Sequence, residues 1–295
     1  MRFLTAIIAV VLCSQTFAQT IKKGKGQLNG LSYNYYYLKP AKDIRGIVIL
    51  MGGTGEKPQS VFKRTSLSQL LADMGFVTIV PEVHNLLYTD QYSIDVLNNI
   101  VNTQSKIFDT RNIVLGGFSS GGAIAVRYSE YILSNTSAIN LKGLFVIDPP
   151  LDLERIYAAA ERMVNNCGGL IKQQGVAIKA QLEGAFGGPP KDRVQQYRNN
   201  SSFAAGAADG GNAGVLKNLP VRLYCEPDLA FVRKTYCAGL IFEDLNAFDL
   251  EGLNTFLLKA GNTNCEYITT KGKGFHSWNI IDPVNCAEWI AAISK

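Results

Sequence analysis

Read along the chain, hydrophobic and polar positions fall into two recurring patterns. Short aliphatic runs occupy residues 46–51, 77–80, 113–115, 144–147, 221–224 and 267–269, and each reads as a buried strand. Residues 32–38 alternate and are rich in tyrosine, as expected of an outer strand with one wet face. Between several of these runs the apolar residues recur at helical spacing, over 66–74, 94–108, 123–133, 245–259 and 283–293. Strands alternating with helices predict an α/β fold, a mostly parallel sheet with helices on both faces. In such sheets ligands bind at the carboxyl ends of the strands.

One stretch breaks the rhythm. Residues 151–218 separate two predicted strands by about 70 residues, far beyond an ordinary connection. Its start, 151–164, has helical spacing, whereas 186–190 and 201–214 are rich in Gly, Ala, Pro and Ser. We read it as a cap inserted over the strand ends within a single domain of 19–295; a peripheral decoration is the plainer alternative. No internal repeat or linker divides the chain.

The first residues change the picture at one end. A basic start at Arg2, an apolar run from Phe3 to Leu12, and the small residue Ala18 read as a secretory signal peptide over 1–18, with export to the periplasm or the exterior expected. Cys13 follows Leu12 rather than a small residue, which argues against lipidation. No stretch approaches the roughly 20 apolar residues of a membrane helix, so no stable membrane insertion is expected. Removing the leader takes away Arg2 and no acid, so the net charge of +5 becomes +4. The Lys23–Gly26 stretch and this mild balance lack the clustered basic surface of a nucleic-acid binder and read as solvated surface. Five cysteines remain, without a Cys-x-x-Cys pair that would suggest zinc. Two disulfides among Cys225, Cys237, Cys265 and Cys286, with Cys167 unpaired, is the expectation. Asn135 and Asn200 stand in Asn-x-Ser/Thr sequons.

The candidate chemistry begins where the strand over 113–115 runs into Gly117-Phe118-Ser119-Ser120-Gly121. Small residues two before and two after a serine let the backbone turn sharply from strand to helix and lift the hydroxyl clear of the sheet. Ser119 is the candidate nucleophile; its competitor Ser120 has Phe118 where the turn needs a small residue. A serine hydroxyl needs an imidazole to take its proton, and only His84 and His276 exist. His276 follows the last predicted strand and precedes the last helix, where a loop brings it over the sheet. His84 precedes the serine and reads as a pocket-edge or structural histidine. For the acid, the strand over 221–224 runs into Cys225-Glu226-Pro227-Asp228, from which Asp228 is chosen; Glu226 is the runner-up and Asp148 a third candidate. Gly52-Gly53-Thr54-Gly55 follows a buried strand, so Gly53 and Thr54, with the N–H of Ser120, are the candidate oxyanion donors. The resemblance of that turn to a phosphate loop fails at Glu56-Lys57.

With these motifs in order, the chain resembles the α/β-hydrolase superfamily over nearly all of 19–295. The resemblance implies an eight-stranded, mostly parallel sheet, Ser119 on the nucleophile elbow, Asp228 after the penultimate core strand, His276 after the last, and a cap after the strand that carries Asp148. It further implies acyl-enzyme chemistry on a small-molecule ester or peptide without metal or cofactor. A secreted carboxylesterase is the leading expectation; a serine peptidase of the same fold and a noncatalytic binding protein are the rivals. Oligomeric state is open.

Overall fold

The buried aliphatic runs form the middle of an eight-stranded sheet in the computed structural model, which describes residues 20–84, 86–135 and 139–295. The leader and its Cys13 lie outside the described residues. The strands are β1 (Lys22–Leu28), β2 (Leu31–Leu38), β3 (Gly46–Met51), β4 (Phe76–Pro81), β5 (Asn112–Phe118), β6 (Asn140–Ile147), β7 (Val221–Cys225) and β8 (Cys265–Thr269), in the order β1-β2-β4-β3-β5-β6-β7-β8. The first two are antiparallel to their neighbours; from β4 onward the sheet is parallel. The helices are α1 (Pro58–Arg64), α2 (Leu67–Asp73), α3 (Gln91–Ile107), α4 (Ser120–Ser134), α5 (Leu153–Asn166), α6 (Gly169–Phe186), α7 (Pro190–Asn200), α8 (Leu229–Thr235), α9 (Asn246–Lys259) and α10 (Pro283–Ile293).

Because successive side chains on a strand face opposite ways, the continuous runs feed two cores. Ile47, Ile49, Leu115, Val146 and Leu223 pack with α3, α4 and α9. Val48, Leu50, Val114, Phe145 and Tyr224 pack with α1, α2 and α10 on the other face. Both layers clamp the sheet, and the strand ends that they leave open carry the polar residues described below. Among the described residues no helix is long and apolar enough to cross a membrane.

No hydrophobic pattern announces β1, whose sequence is Lys-Lys-Gly-Lys-Gly-Gln-Leu. Asn29 and Gly30, at φ 48° and 81°, form a tight turn that folds the Lys-Gly-Lys-Gly stretch back on β2, with Gly24 opposite Tyr35 and Gly26 opposite Tyr33. The stretch is solvated surface, as expected, and is also an edge strand.

Residues 151–218 contain three helices with a small core of their own, in which Leu153, Ile156 and Tyr157 of α5 meet Leu182 and Phe186 of α6 and Tyr197 of α7. The sequence pattern gave α5 but neither α6 nor α7. Glycine at 169, 175 and 184 weakens the helical signal of α6. Gly175 is there for contact: a Cβ on it would lie 2.7 Å from the Ala160 carbonyl oxygen, so only glycine lets α5 and α6 approach this closely. Two ion pairs tie α5 to the sheet domain, a buried one from Arg155 to Asp249 on α9 and a half-buried one from Arg162 to Asp244. Burial alone would push the Arg155 guanidinium down, but the Asp249 carboxylate on its fork holds it above its ordinary value.

The cysteines correct the expected pairing. Cys167, after α5, is bonded to Cys237, after α8, across 70 residues, while Cys225, Cys265 and Cys286 are free. The sheet explains why these three do not pair. Cys225 packs in the core on one face and Cys286 in the core on the other. Cys265 is aligned with Val221, at the opposite end of β7 from Cys225. Burial pushes all three thiols up to about 12, which makes them poor nucleophiles. Closing a loop of this length restricts the unfolded chain, so Cys167→Ser with Cys237→Ser is expected to cost about 4 kcal/mol in the chain-entropy account. Urea unfolding of the oxidised protein and the double variant measures it.

Candidate active site

Ser119 stands at the junction of β5 and α4 with φ 54° and ψ −128°, a conformation that L-residues rarely adopt. Its neighbours permit it. A Cβ on Gly117 would come within 2.4 Å of the Gly121 carbonyl oxygen, and one on Gly121 within 2.3 Å of the Gly52 oxygen, so both flanking positions must be glycine. The Ser119 N–H donates to the Ile147 carbonyl at 2.9 Å, which fixes the turn against β6. Ser120 points away: it is fully buried, and its hydroxyl accepts from Thr54 Oγ1 at 3.0 Å. The structure thus separates the two serines as the sequence implied.

His276 Nε2 lies 3.0 Å from Ser119 Oγ, and its Nδ1 lies 2.5 Å from Asp148 Oδ2. The acid on the imidazole is therefore Asp148, the third candidate, and not Asp228. Strand register supplies the reason. Phe118 of β5 is aligned with Ile147 of β6, so the next residue on each, Ser119 and Asp148, emerge side by side at the carboxyl edge. On β7, Tyr224 is aligned with Ile147, which puts Cys225 at that level and leaves Asp228 three residues past it. Asp228 has turned away to cap α8, accepting from the Phe231 N–H at 2.8 Å. Asp148 is only 3% exposed, and its own carbonyl accepts from Asn246 Nδ2.

The runner-up, Glu226, does not reach the imidazole either. Its buried carboxylate accepts from Thr270 Oγ1 at 2.9 Å, Lys273 N at 2.7 Å and Gly274 N at 3.2 Å, and so shapes the loop that presents His276. His84 sits in a different setting, with Nδ1 on Asp90 Oδ2 at 2.6 Å and its ring stacked on Tyr92 at 4.5 Å.

Ser119, Asp148 and His276 share a further trait. Among the described residues five non-glycine positions have positive φ, and these three are among them, at 54°, 47° and 51°. Each such residue costs about 1–3 kcal/mol of backbone strain, which persists only where the surroundings over-determine it. Three of these five backbones belong to His276 and the two residues that its ring meets.

The glycine turn after β3 carries a residue that the sequence reading passed over. The Gly53 N–H donates to Glu56 Oε2 at 2.9 Å, so this amide is engaged within its own turn, a correction to its expected role as an oxyanion donor. Thr54 and Ser120 are left as the candidate donors, and Ser120, as the first residue of α4, has no intrahelical acceptor for its N–H. Glu56 also accepts from Trp278 Nε1 at 3.1 Å and from Arg64 Nε at 2.8 Å. One carboxylate thereby joins the glycine turn to the segment just beyond His276. A glutamate in a glycine turn was the available signal, but its partners lie 8 and 222 residues away and cannot be read from spacing.

Above Ser119 lies a cavity of about 780 Å³. Its floor includes Gly53, Thr54, Ser119 and His276, and its far wall is a stripe of α5 and α6 that includes Ile156, Met163, Ile171 and Ile178. Arg155 and Asp244 also reach the cavity, but both are held in the ion pairs of α5. Among the described residues no cluster of His, Cys, Asp and Glu is arranged to hold a metal ion.

Solved structures share this architecture. An arylesterase superposes with a TM-score of 0.62 at 14% identity, over 94% of this chain and 86% of its own. Carboxyl esterase 2 of the mycorrhizal fungus Tuber melanosporum gives 0.60 at 16% identity, over 97% and 87%. The chain has the α/β-hydrolase fold. An acylaminoacyl peptidase of Pyrococcus horikoshii matches at 0.58 and 12% identity, over 92% of this chain but only 40% of that one. No family model and no curated protein matches by sequence. The carboxylate that meets His276 follows β6 rather than β7, where the resemblance had implied it.

Proposed function

We propose that the protein is a serine hydrolase acting on carboxylic esters, with Ser119 as nucleophile, His276 as general base and Asp148 as the acid that orients it. The observation that carries this reading is the continuous relay from Asp148 through His276 to Ser119 at the floor of a large cavity. Ser119 Oγ attacks the carbonyl carbon while His276 Nε2 takes its proton; Asp148 fixes the tautomer with Nδ1–H and stabilises the imidazolium. The oxyanion meets the N–H groups of Thr54 and Ser120. When the C–O bond breaks, His276 returns the proton to the departing alcohol, and a water activated in the same way releases the acid.

The esterases among the structural neighbours support an ester as substrate. The helical insertion acts as a cap whose apolar stripe receives the acyl group. The Cys167–Cys237 disulfide supports export through the leader over 1–18, since such bonds persist in oxidising compartments. The peptidase neighbour keeps peptide amides in the substrate panel.

Treatment of the folded protein, cleaved after Ala18, with a fluorophosphonate followed by peptide mass spectrometry tests the proposal. An adduct on Ser119, absent from Ser119→Ala, is the expected result; a well-folded protein without an adduct sinks it.

A further inference from the structure

Three aromatic rings gather beside His276 where the cavity opens. Phe231 and Tyr236 lie 5.9 Å apart nearly edge to face, and Phe275 is 6.3 Å from the first and 6.1 Å from the second. Tyr236 and Phe275 line the cavity, and the Phe275 ring is 6.3 Å from the imidazole. Yet Phe231 is 41% exposed and Tyr236 47%. Exposed rings that touch one another are an incomplete apolar surface, and such surface on a soluble chain marks a place where something binds.

This surface is also held in place. Asp228 caps α8 through the Phe231 N–H itself. The disulfide begins at Cys237, the residue after Tyr236. Glu226 accepts from Lys273 N and Gly274 N, immediately before Phe275. Every ring thus has a charge-assisted hydrogen bond or a covalent bond on itself or on the adjacent residue. Asp228 and Glu226, two of the three carboxylates that the sequence offered as the acid, serve this arrangement instead.

The position of the cluster decides which part of a substrate it meets. His276 Nε2 hands its proton to the leaving oxygen, so that oxygen lies within hydrogen-bond reach of the imidazole and its substituent starts along the wall that carries His276. That wall is Phe275 and the end of α8. The acyl group takes the other direction, into the apolar stripe of α5 and α6.

We propose that Phe231, Tyr236 and Phe275 form a subsite for the alcohol portion of the substrate and that this portion is aromatic, so that the preferred esters carry a benzyl-type leaving group. The inference rests on the hydrolase reading and adds the identity of the leaving group. Ring-on-ring contacts are worth a few-fold each beyond area burial, so the native preference should be about five- to tenfold in kcat/KM.

The test compares benzyl and cyclohexylmethyl esters of one acid, which match in shape and nearly in leaving-group acidity. The native enzyme should favour the benzyl ester by that factor. In Phe231→Leu with Tyr236→Leu, both positions exposed enough to accept leucine, the ratio should fall toward one while fluorophosphonate labelling of Ser119 persists. A ratio near one in the native enzyme, or an undiminished ratio in the double variant, overturns the aromatic subsite and leaves the hydrolase reading standing. Absence of labelling on the native enzyme overturns both.

Discussion

Asp148→Asn is expected to lower kcat about ten-thousand-fold, while Asp228→Asn leaves hydrolysis close to native. An asparagine in place of Asp148 keeps the shape of the side chain but presents a neutral amide to His276 Nδ1, now 2.5 Å from a carboxylate oxygen. The imidazole then loses both the partner that fixes its tautomer and the charge that stabilises its protonated form, a change worth about four orders of magnitude in serine hydrolases with this geometry. Asp228 touches neither the histidine nor the serine; it accepts from the Phe231 N–H at the start of α8. Asparagine keeps a side-chain oxygen that can cap the helix, so the thermal midpoint should barely move either. Steady-state kinetics on a chromogenic ester settle the pair: a large loss in Asp228→Asn with little loss in Asp148→Asn would overturn the assignment.

His276→Ala should reduce kcat by a factor on the order of a million, and fluorophosphonate labelling of Ser119 should vanish with it. Without the imidazole the hydroxyl 3.0 Å away has no acceptor for its proton, and the remaining site can only bind. His84→Ala should leave kcat/KM nearly unchanged, because that ring is engaged with Asp90 and Tyr92. Its effect belongs to stability, through Asp90, whose side chain also caps α3 and whose carboxyl is held below its ordinary value despite the opposing pull of burial, by hydrogen bonds from Ser93 and His84. Comparable losses from the two alanine variants would mean that the base has been misassigned.

Ser119 and His276, which the structure brings within 3.0 Å, could be singled out in the sequence for different reasons. The serine sits in a local motif whose glycines are required by backbone contacts within a few residues, so spacing carries the information. The histidine was identified by scarcity, there being two in the whole chain. The carboxylate that meets the imidazole was not legible, because what places Asp148 there rather than Asp228 is strand register. The aliphatic runs show where β5, β6 and β7 lie but not that Phe118, Ile147 and Tyr224 share a level. The cysteines failed in the same way: partners 70 residues apart meet only because the fold brings the ends of α5 and α8 together. The insertion was legible as an interruption. Its second helix was hidden by glycines that serve close helix packing, and its tie to the core through Arg155 and Asp249 is a contact across 94 residues.

The relay is assembled from distant parts of the chain: His276 is 157 residues from Ser119 and 128 from Asp148. It arrives by way of β8, the last strand and an edge of the sheet, paired only with β7 and with most of its residues partly solvent-accessible. The contact of His276 with Ser119 and Asp148 therefore depends on that border being paired with β7. On heating, local openings start where few contacts are buried, which describes this border as it does β1 at the opposite edge. Turnover is then a reporter on the C-terminal margin of the sheet rather than on its centre, and it should fade while most of the secondary structure is still in place.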